Sequence, residues 1–500
     1  MRTERVVIVG AGIGGLAAAM QLAAHGLAVT VVERAATPGG KMRQVTIAGQ
    51  PIDVGPTVLT LRGVFERLFA ECGTSLAAEV ELRPLRILAR HAWDGGARLD
   101  LFADRERSAA AIGELAGAAE ARRFRAFCAH ARRVWELLEL PFIMAAEPSL
   151  PGLLGGVGAK GLVRLPEIRP FTSLWHELGG YFHDPRLRQL FGRYATYCGS
   201  SPFAAPATLM LVVHVELEGV WTVAGGMHRL ARAMAAVAER AGARLRYAAD
   251  VAEILVVAGR AAGVRLAGGE ELPADAVIVN ADLAAVAAGQ LGPAAARAVP
   301  SVAGVPRSLS AVTWALHATA RDFPLVRHNV FFSRDYRAEF DDILVRRRLP
   351  AEPTVYLCAQ DRDDEPLPVG TGGERLLCLI NAPAVGDSRR FDATEIAACE
   401  ATTFASLERC GLRLERSPER QRVTTPHDFA ALFPATGGAL YGRATHGWRA
   451  SFARPGVRTR LPGLYLAGGS VHPGPGVPMV ALSGRAAAAR ALADLASTRR

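Results

Sequence analysis

The sequence predicts an α/β fold: a Rossmann-like dinucleotide-binding domain assembled from separated stretches, with an α+β second domain interleaved between them. Three observations carry that prediction. The first 33 residues read as strand, glycine turn, helix, strand, acid. A Gly/Pro-rich turn between a buried strand and an Ala-rich helix recurs near the far end. A chain of 500 residues, 50% of them hydrophobic, has room for two or three domains with sizeable cores.

The amino-terminal elements follow in order. Val6-Val7-Ile8-Val9 is a β-branched run of the kind that forms a fully buried parallel strand. Gly10-Ala11-Gly12-Ile13-Gly14-Gly15 follows, then an Ala/Leu-rich helix to about Ala24, closed by Gly26. Ala28 to Val32 is a second strand, ending at Glu33. By hydropathy alone Val6 to Val32 is long enough to span a bilayer or to serve as a signal sequence; its glycine punctuation argues for a soluble βαβ unit instead. Gly10 makes the tight turn, Gly12 admits a pyrophosphate to the backbone, and Gly15 lets helix and sheet pack closely. The helix amino terminus offers free N–H groups and partial positive charge to phosphates. Glu33 can accept hydrogen bonds from an adenosine ribose, and its charge disfavours the 2′-phosphate of NADP.

FAD is the better fit among dinucleotides. Pro38-Gly39-Gly40-Lys41 comes just after the acidic strand end, and Asp53-Val54-Gly55-Pro56-Thr57 follows a short β stretch. Near the far end, strand Leu464 to Ala467 runs into Gly468-Gly469-Ser470, His472-Pro473-Gly474-Pro475-Gly476-Val477-Pro478, and a helix from about Met479 to Leu495. One extended cofactor touching both ends of the chain accounts for both turns, and FAD is longer than NAD.

These blocks, with Arg34…Gly39-Gly40 and Gly225-Gly226-Met227-x-x-Leu230, resemble the bacterial carotenoid desaturases, FAD flavoproteins of the amine oxidase/phytoene desaturase type. The phrases around Gly55–Arg62, Leu190–Tyr197 and Val471–Met479 are most similar to the 1-hydroxycarotenoid 3,4-desaturases, also called methoxyneurosporene dehydrogenases, of phototrophic bacteria. The resemblance implies an FAD domain from about 1–75, 225–290 and 440–500, and a substrate-binding, membrane-associating domain from 76–224 and 291–439. It implies a cofactor held by Gly10, Gly12, Gly14, Gly15, Glu33, Arg34, Gly39, Gly40, Lys41, Gly55, Pro56, Thr57, Val251, Gly468, Gly469, Gly476, Val477 and Met479. The substrate would be an acyclic carotenoid, with a quinone or oxygen as electron acceptor. Sibling activities, phytoene desaturation and carotenoid cis–trans isomerisation, stay open, as does a non-catalytic prenyl-lipid carrier of the Rab GDP dissociation inhibitor type.

Within the second domain, Ala109 to Leu140 reads as helical with Trp135 and Leu138 on a buried face, Leu376 to Ile380 as a strand, and Ala393 to Cys410 as a helix. Pro148 to Ala159, uncharged and flanked by Lys160, Arg164 and Arg169, is too short to span a bilayer; it is either a segment that dips into the membrane surface or a surface loop. A peripheral position on the cytoplasmic side of the bacterial membrane is expected, with no signal peptide and no transmembrane helix.

Composition excludes other classes. The formal charge is +10, yet only Lys41 and Lys160 are lysines and the arginines are scattered, so no basic arm suits nucleic acid. Seven widely spaced cysteines form no metal-type pair, and no metal is expected. No nucleophile–base pattern or catalytic carboxylate pair stands out. His472, in the carboxy-terminal turn, is a weak catalytic candidate better suited to structuring the loop. Arg62 is a second, on position alone. His214 and Glu218, four apart on an apolar stretch, read first as a structural pair or a solvated edge, and second as candidates to hold a hydroxyl or methoxyl end of the substrate. Tyr194 and Tyr197 read as packing residues.

Overall fold

The structure, a computed structural model, describes residues 3–362 and 373–497. Five parallel strands form one sheet, in the order Leu464–Leu466, Ala276–Val279, Arg5–Val9, Ala28–Val32, Arg244–Arg246. Numbered along the chain this is the 5-4-1-2-3 arrangement of a doubly wound domain. The central strand pairs on both sides and is buried over Val6–Val9, which is why its sequence is continuously β-branched rather than alternating.

Helices Ile13–Ala24 and Val477–Ser497 pack directly on one another across the top of this sheet. They approach closely at Gly14 and Gly484, where a Cβ on Gly484 would lie 2.0 Å from the Gly14 carbonyl oxygen. Helix His228–Arg240 covers Ile13–Ala24 from another side with Leu230, Ala231 and Met234 fully buried. Beside the sheet, Val251–Val257, Arg260–Leu266 and Glu271–Pro273 make a separate antiparallel sheet.

The second domain is built on a mixed eight-stranded sheet that includes Ile87–Ala92, Arg98–Phe102, Ser310–Arg321, His328–Phe331, Val355–Ala359 and Glu374–Ala382. Strand Ser310–Arg321 pairs over Ser310–Ala318 with Glu374–Ala382 and over its last three residues with Arg413–Glu415. Helix Ala393–Arg409 starts at a reciprocal cap between Asp392 and Glu395 and covers one face through Phe404 and Leu407. A helical layer contributes Phe124, Phe127, Phe182 and Phe191: the Phe191 ring stacks on Phe124 and Phe182 and lies tilted against Phe127, which meets Phe182 edge-on.

Two sequence expectations change. The helix expected over Ala109 to Leu140 is two helices, Arg105–Ala116 and Ala118–Leu138, because Gly117 takes φ +93° between them; Trp135 and Leu138 are buried as expected. The segment after Pro148 is not a loop: Leu150–Arg164 is helical, capped by Ser149 accepting from the Gly152 N–H and kinked at Gly158. The side chains of Ala159 and Lys160 lie outside the described residues. No helix among the described residues is long and apolar enough to cross a membrane.

Candidate active site

A single cavity of about 1450 Å³ runs from the parallel sheet into the second domain. Its inner wall is the amino-terminal turn. The Gly10 N–H donates to the Val32 carbonyl at 2.7 Å and holds φ +97°. A Cβ on Gly12 would lie 2.7 Å from Asn280 Oδ1, and one on Gly40 3.3 Å from the Gly12 Cα, so bare backbone faces the cavity there. Glu33, 8% exposed, accepts from the Ala11 N–H at 2.7 Å and the Ala35 N–H at 2.8 Å. A carboxylate accepts about four hydrogen bonds, which leaves capacity for ribose hydroxyls.

Every residue expected to hold the cofactor lines this cavity except Gly14 and Gly15. Those two sit behind the turn. A Cβ on Gly14 would lie 2.8 Å from Asn280 Nδ2 and 3.2 Å from the Val480 carbonyl oxygen, and one on Gly15 2.0 Å from the Gly10 carbonyl oxygen, so close packing requires the bare backbone at both. Val251 lines the cavity beside Ala249 and Asp250, on the Glu33 side. Lys41 also lines it, but its Nζ donates to the Leu440 carbonyl at 2.6 Å and lies over the Phe433 ring, and burial lowers its pKa.

The four residues put forward for chemistry or substrate do not reach the cavity wall. Arg62 pairs with Glu66 at 2.7 Å on the surface, one turn along helix Arg62–Glu71. His472 is buried, and its Nε2 lies 2.7 Å from the Phe142 carbonyl, with burial holding its pKa down at about 4; it fastens the carboxy-terminal turn to the 139–143 segment. His214 packs on Trp135 and faces Glu218 at 3.7 Å, and Glu218 is exposed. On helix Leu211–Leu217 the cavity side is instead Leu211, Val212, Val215 and Glu216.

That wall carries polar groups the sequence did not reveal. Tyr194 and Tyr197 both donate to the Glu216 carboxylate, the second at 3.2 Å, and Arg193 donates to the Tyr197 hydroxyl at 2.9 Å. Tyr197 is therefore more than packing. The Tyr356 hydroxyl lies 2.6 Å from Thr57 Oγ1 and 2.7 Å from His328 Nδ1, which joins this cluster to the Gly55–Thr57 turn. Burial raises the Glu216 pKa against the pull of Tyr194 and Arg193, and holds His328 neutral. Two further residues went unseen in the sequence. Asn280 ends strand Ala276–Val279 and fills the space the glycine turn leaves. Arg454, buried, donates to the carbonyls of Tyr441, Arg443 and Gly469 and so fixes the turn after strand Leu464–Leu466. Only the position of Asn280, directly after a buried strand at the sheet's switch point, offered a signal.

The outer part of the cavity is hydrocarbon-like, walled by side chains such as Leu153, Leu154, Leu162, Leu165, Leu209 and Val212. A glycine cradle at a helix start, an acid at the next strand end, a second glycine turn facing both and an apolar tunnel beyond them suit an extended flavin dinucleotide with an apolar substrate.

The chain is similar along its whole length to characterised proteins. It is 57% identical to the hydroxyneurosporene desaturase of Rubrivivax gelatinosus, over 100% of this chain and 95% of that one. It is 47% identical to the hydroxyneurosporene desaturase of Cereibacter sphaeroides, over 99% of each. A crystal structure of an oxidoreductase from Methanosarcina mazei shares the fold at TM-score 0.59 and 19% identity, covering 96% of this chain and 99% of that one. Residues 13–492 match the flavin containing amine oxidoreductases; with the glycine cradle and Glu33 in place to receive FAD, the chain belongs to that family.

Proposed function

We propose that this protein desaturates an acyclic carotenoid of the neurosporene series, introducing the 3,4 double bond into a 1-hydroxy or 1-methoxy substrate. The observation that carries this reading is the continuity of one cavity from the Glu33 end, past the Gly55–Thr57 and Gly468–Met479 turns, into a tunnel of leucines and valines. The full-length likeness to two hydroxyneurosporene desaturases supports it.

The reaction removes two hydrogens from adjacent carbons. One leaves as a hydride and the other as a proton, and the electron pair of the second C–H bond becomes the new π bond. Bound FAD supplies the acceptor for the hydride, and a quinone or oxygen takes the electrons onward. The protein's part is orientation and exclusion of water. Positive charge developing next to a polyene spreads along it, so no strong base is required, in keeping with a cavity wall that is mostly aliphatic.

Carotenoids of about forty carbons would lose on the order of 30 kcal/mol on passing into water, at about 0.8 kcal/mol per CH₂. Uptake directly from a bilayer follows. Around the cavity mouth Leu150, Leu154, Leu162, Val163 and Phe171 are exposed, Val163 and Phe171 at 82% and 79%, and Trp448 stands against Phe171. Arg164, Arg169 and Arg449 lie on the same segments, suited to lipid headgroups. The whole protein thus sits peripherally on a membrane, mouth down.

The test is expression in cells accumulating 1-hydroxyneurosporene, with phytoene-accumulating cells alongside. Loss of two hydrogens and a red shift in the hydroxylated background alone is the expected result. Conversion of phytoene instead would overturn the substrate, and a changed isomer ratio without a mass change would make the protein an isomerase. In vesicle flotation, Leu162→Asp with Phe171→Asp should abolish binding to anionic liposomes while FAD stays bound; unchanged flotation would refute the membrane face.

A further inference from the structure

The polar cluster around Arg193 has no place in a cavity built for hydrocarbon unless a polar atom of the ligand reaches it. Two of its groups are buried at the wall without partners. His328 is 2% exposed and Tyr336 5%, both line the cavity, and neither His328 Nε2 nor the Tyr336 hydroxyl has a hydrogen-bond partner among the described residues. Buried polar groups are ordinarily satisfied. The other groups are already committed: Tyr197 to Glu216, Tyr356 to Thr57 and His328 Nδ1, and the Arg193 guanidinium to the Tyr197 hydroxyl and the faces of Tyr197 and Tyr356.

We propose that His328 Nε2 and the Tyr336 hydroxyl form the subsite that receives the oxygen on C1 of the substrate and thereby set which carbon–carbon bond faces the flavin. This deepens the desaturase reading and rests on it. Three C–C bonds of about 1.5 Å separate C1 from C4, so an oxygen on C1 lies within roughly 5 Å of the bond to be oxidised. Its binding groups must therefore adjoin the flavin site, not the mouth. Tyr356 meets that requirement by joining His328 to Thr57 of the Gly55–Thr57 turn. Tyr336 packs among Phe332, Phe340 and Trp175, which fixes its ring. Either neutral tautomer of His328 leaves Nε2 one hydrogen bond to give or take, and Tyr336 supplies a donor, so an alcohol satisfies both. The substrate accordingly enters oxygen end first, with its hydrocarbon tail trailing to the mouth at Leu150–Phe171. His214 and Glu218, proposed from sequence for this task, face elsewhere.

The experiment compares 1-hydroxyneurosporene with neurosporene, using the full-length holoprotein reconstituted on liposomes, in wild type, Tyr336→Phe and His328→Gln. FAD absorbance and thermal midpoint report folding. Wild type is expected to prefer the hydroxylated carotenoid in binding and kcat/KM. Tyr336→Phe removes one oxygen atom and should lower kcat/KM for the hydroxylated substrate about five- to tenfold while leaving neurosporene binding unchanged; His328→Gln should act in the same sense. Equal losses on both carotenoids, or an unchanged preference in both folded variants, overturn the subsite. If wild type converts neither carotenoid, the desaturase reading fails, and the subsite is still decided by binding: a hydroxyl preference lost in Tyr336→Phe supports it, and no preference in wild type sinks it.

Discussion

Replacing Gly484 by alanine adds one methyl group and should loosen the FAD site from behind. Gly484 lies in helix Val477–Ser497 opposite Gly14 of helix Ile13–Ala24. The new Cβ would stand 2.0 Å from the Gly14 carbonyl oxygen, 2.8 Å from its carbon and 3.0 Å from its Cα. All three are backbone atoms, so no side chain can rotate away. Ordinary contact begins near 3.4 Å, and the two helices must separate by roughly 1.4 Å along that line. Around them Ala17, Ala18, Ala481, Ala487 and Ala488 are fully buried, so the separation opens the small-residue seam along its length. Overpacking of a well-filled core costs about 1–3 kcal/mol, and a backbone obstacle places this variant at the upper end, about 3 kcal/mol. Val477 and Met479, at the cavity end of the same helix, would be displaced with it, so FAD should release more readily. The assay is thermal unfolding followed by flavin fluorescence. Gly155→Ala is the control: nothing lies within 4 Å of its added methyl, and within a helix it should be neutral or stabilising by about 0.5–1 kcal/mol. A Gly484→Ala protein that melts with wild type and keeps its FAD would refute the packing account of both glycines.

Glu33→Gln keeps the shape of the side chain but turns one acceptor into an NH₂ that faces a backbone N–H, of Ala11 or of Ala35. Leaving that donor unsatisfied costs about 1–3 kcal/mol, and FAD titration should show a Kd raised by about tenfold or more; an unchanged Kd would refute the role of the acid. Glu339, buried beneath Ser333 and Thr354, has its pKa pushed up to about 7 by burial. Between the ordinary glutamate value of 4.5 and about 7 the folded chain holds a proton the unfolded chain has released, so stability falls with rising pH by up to about 1.4 kcal/mol per unit. Glu339→Gln should flatten that slope in melts taken from pH 5 to 8, and an unaltered slope would count against it.

The cofactor half of the site was legible because its groups are fixed by chain spacing. A turn, a helix start and the acid at the next strand end must occur within about thirty residues for one strand to hand on to the next, so Gly10, Gly12 and Glu33 announce themselves. The substrate half was not, because Arg193, Glu216, His328 and Tyr336 come from separate segments joined only by the second domain's sheet and helical layer. The choice of His214 and Glu218 illustrates the difficulty. They share a helix face at i and i+4, but a seven-residue helix has two apolar flanks, and periodicity does not say which one meets the cavity; the wall falls on Val212, Val215 and Glu216. Gly15, read from its spacing as the residue that lets helix and sheet pack closely, does so against the Gly10 carbonyl, whereas the packing of Gly14 against the carboxy-terminal helix depends on a contact between segments far apart in the chain, which no local spacing reveals.

An aliphatic tunnel discriminates poorly between carotenoids, since one methylene more or less in such a pocket is worth only about 1–3 kcal/mol. A buried hydrogen-bonding site discriminates far better, because a substrate lacking the matching oxygen leaves its donors dry. On the subsite proposed above, choice among carotenoids that differ at C1 is made where polar groups meet the cavity, and the Arg193 cluster lines that wall. In that proposal an oxygen seated at the cluster would bring the C3–C4 bond into register whatever the number of double bonds in the tail, so the tunnel itself would not need to discriminate. Loosening the cluster should therefore change which bond is oxidised before it changes whether a carotenoid binds.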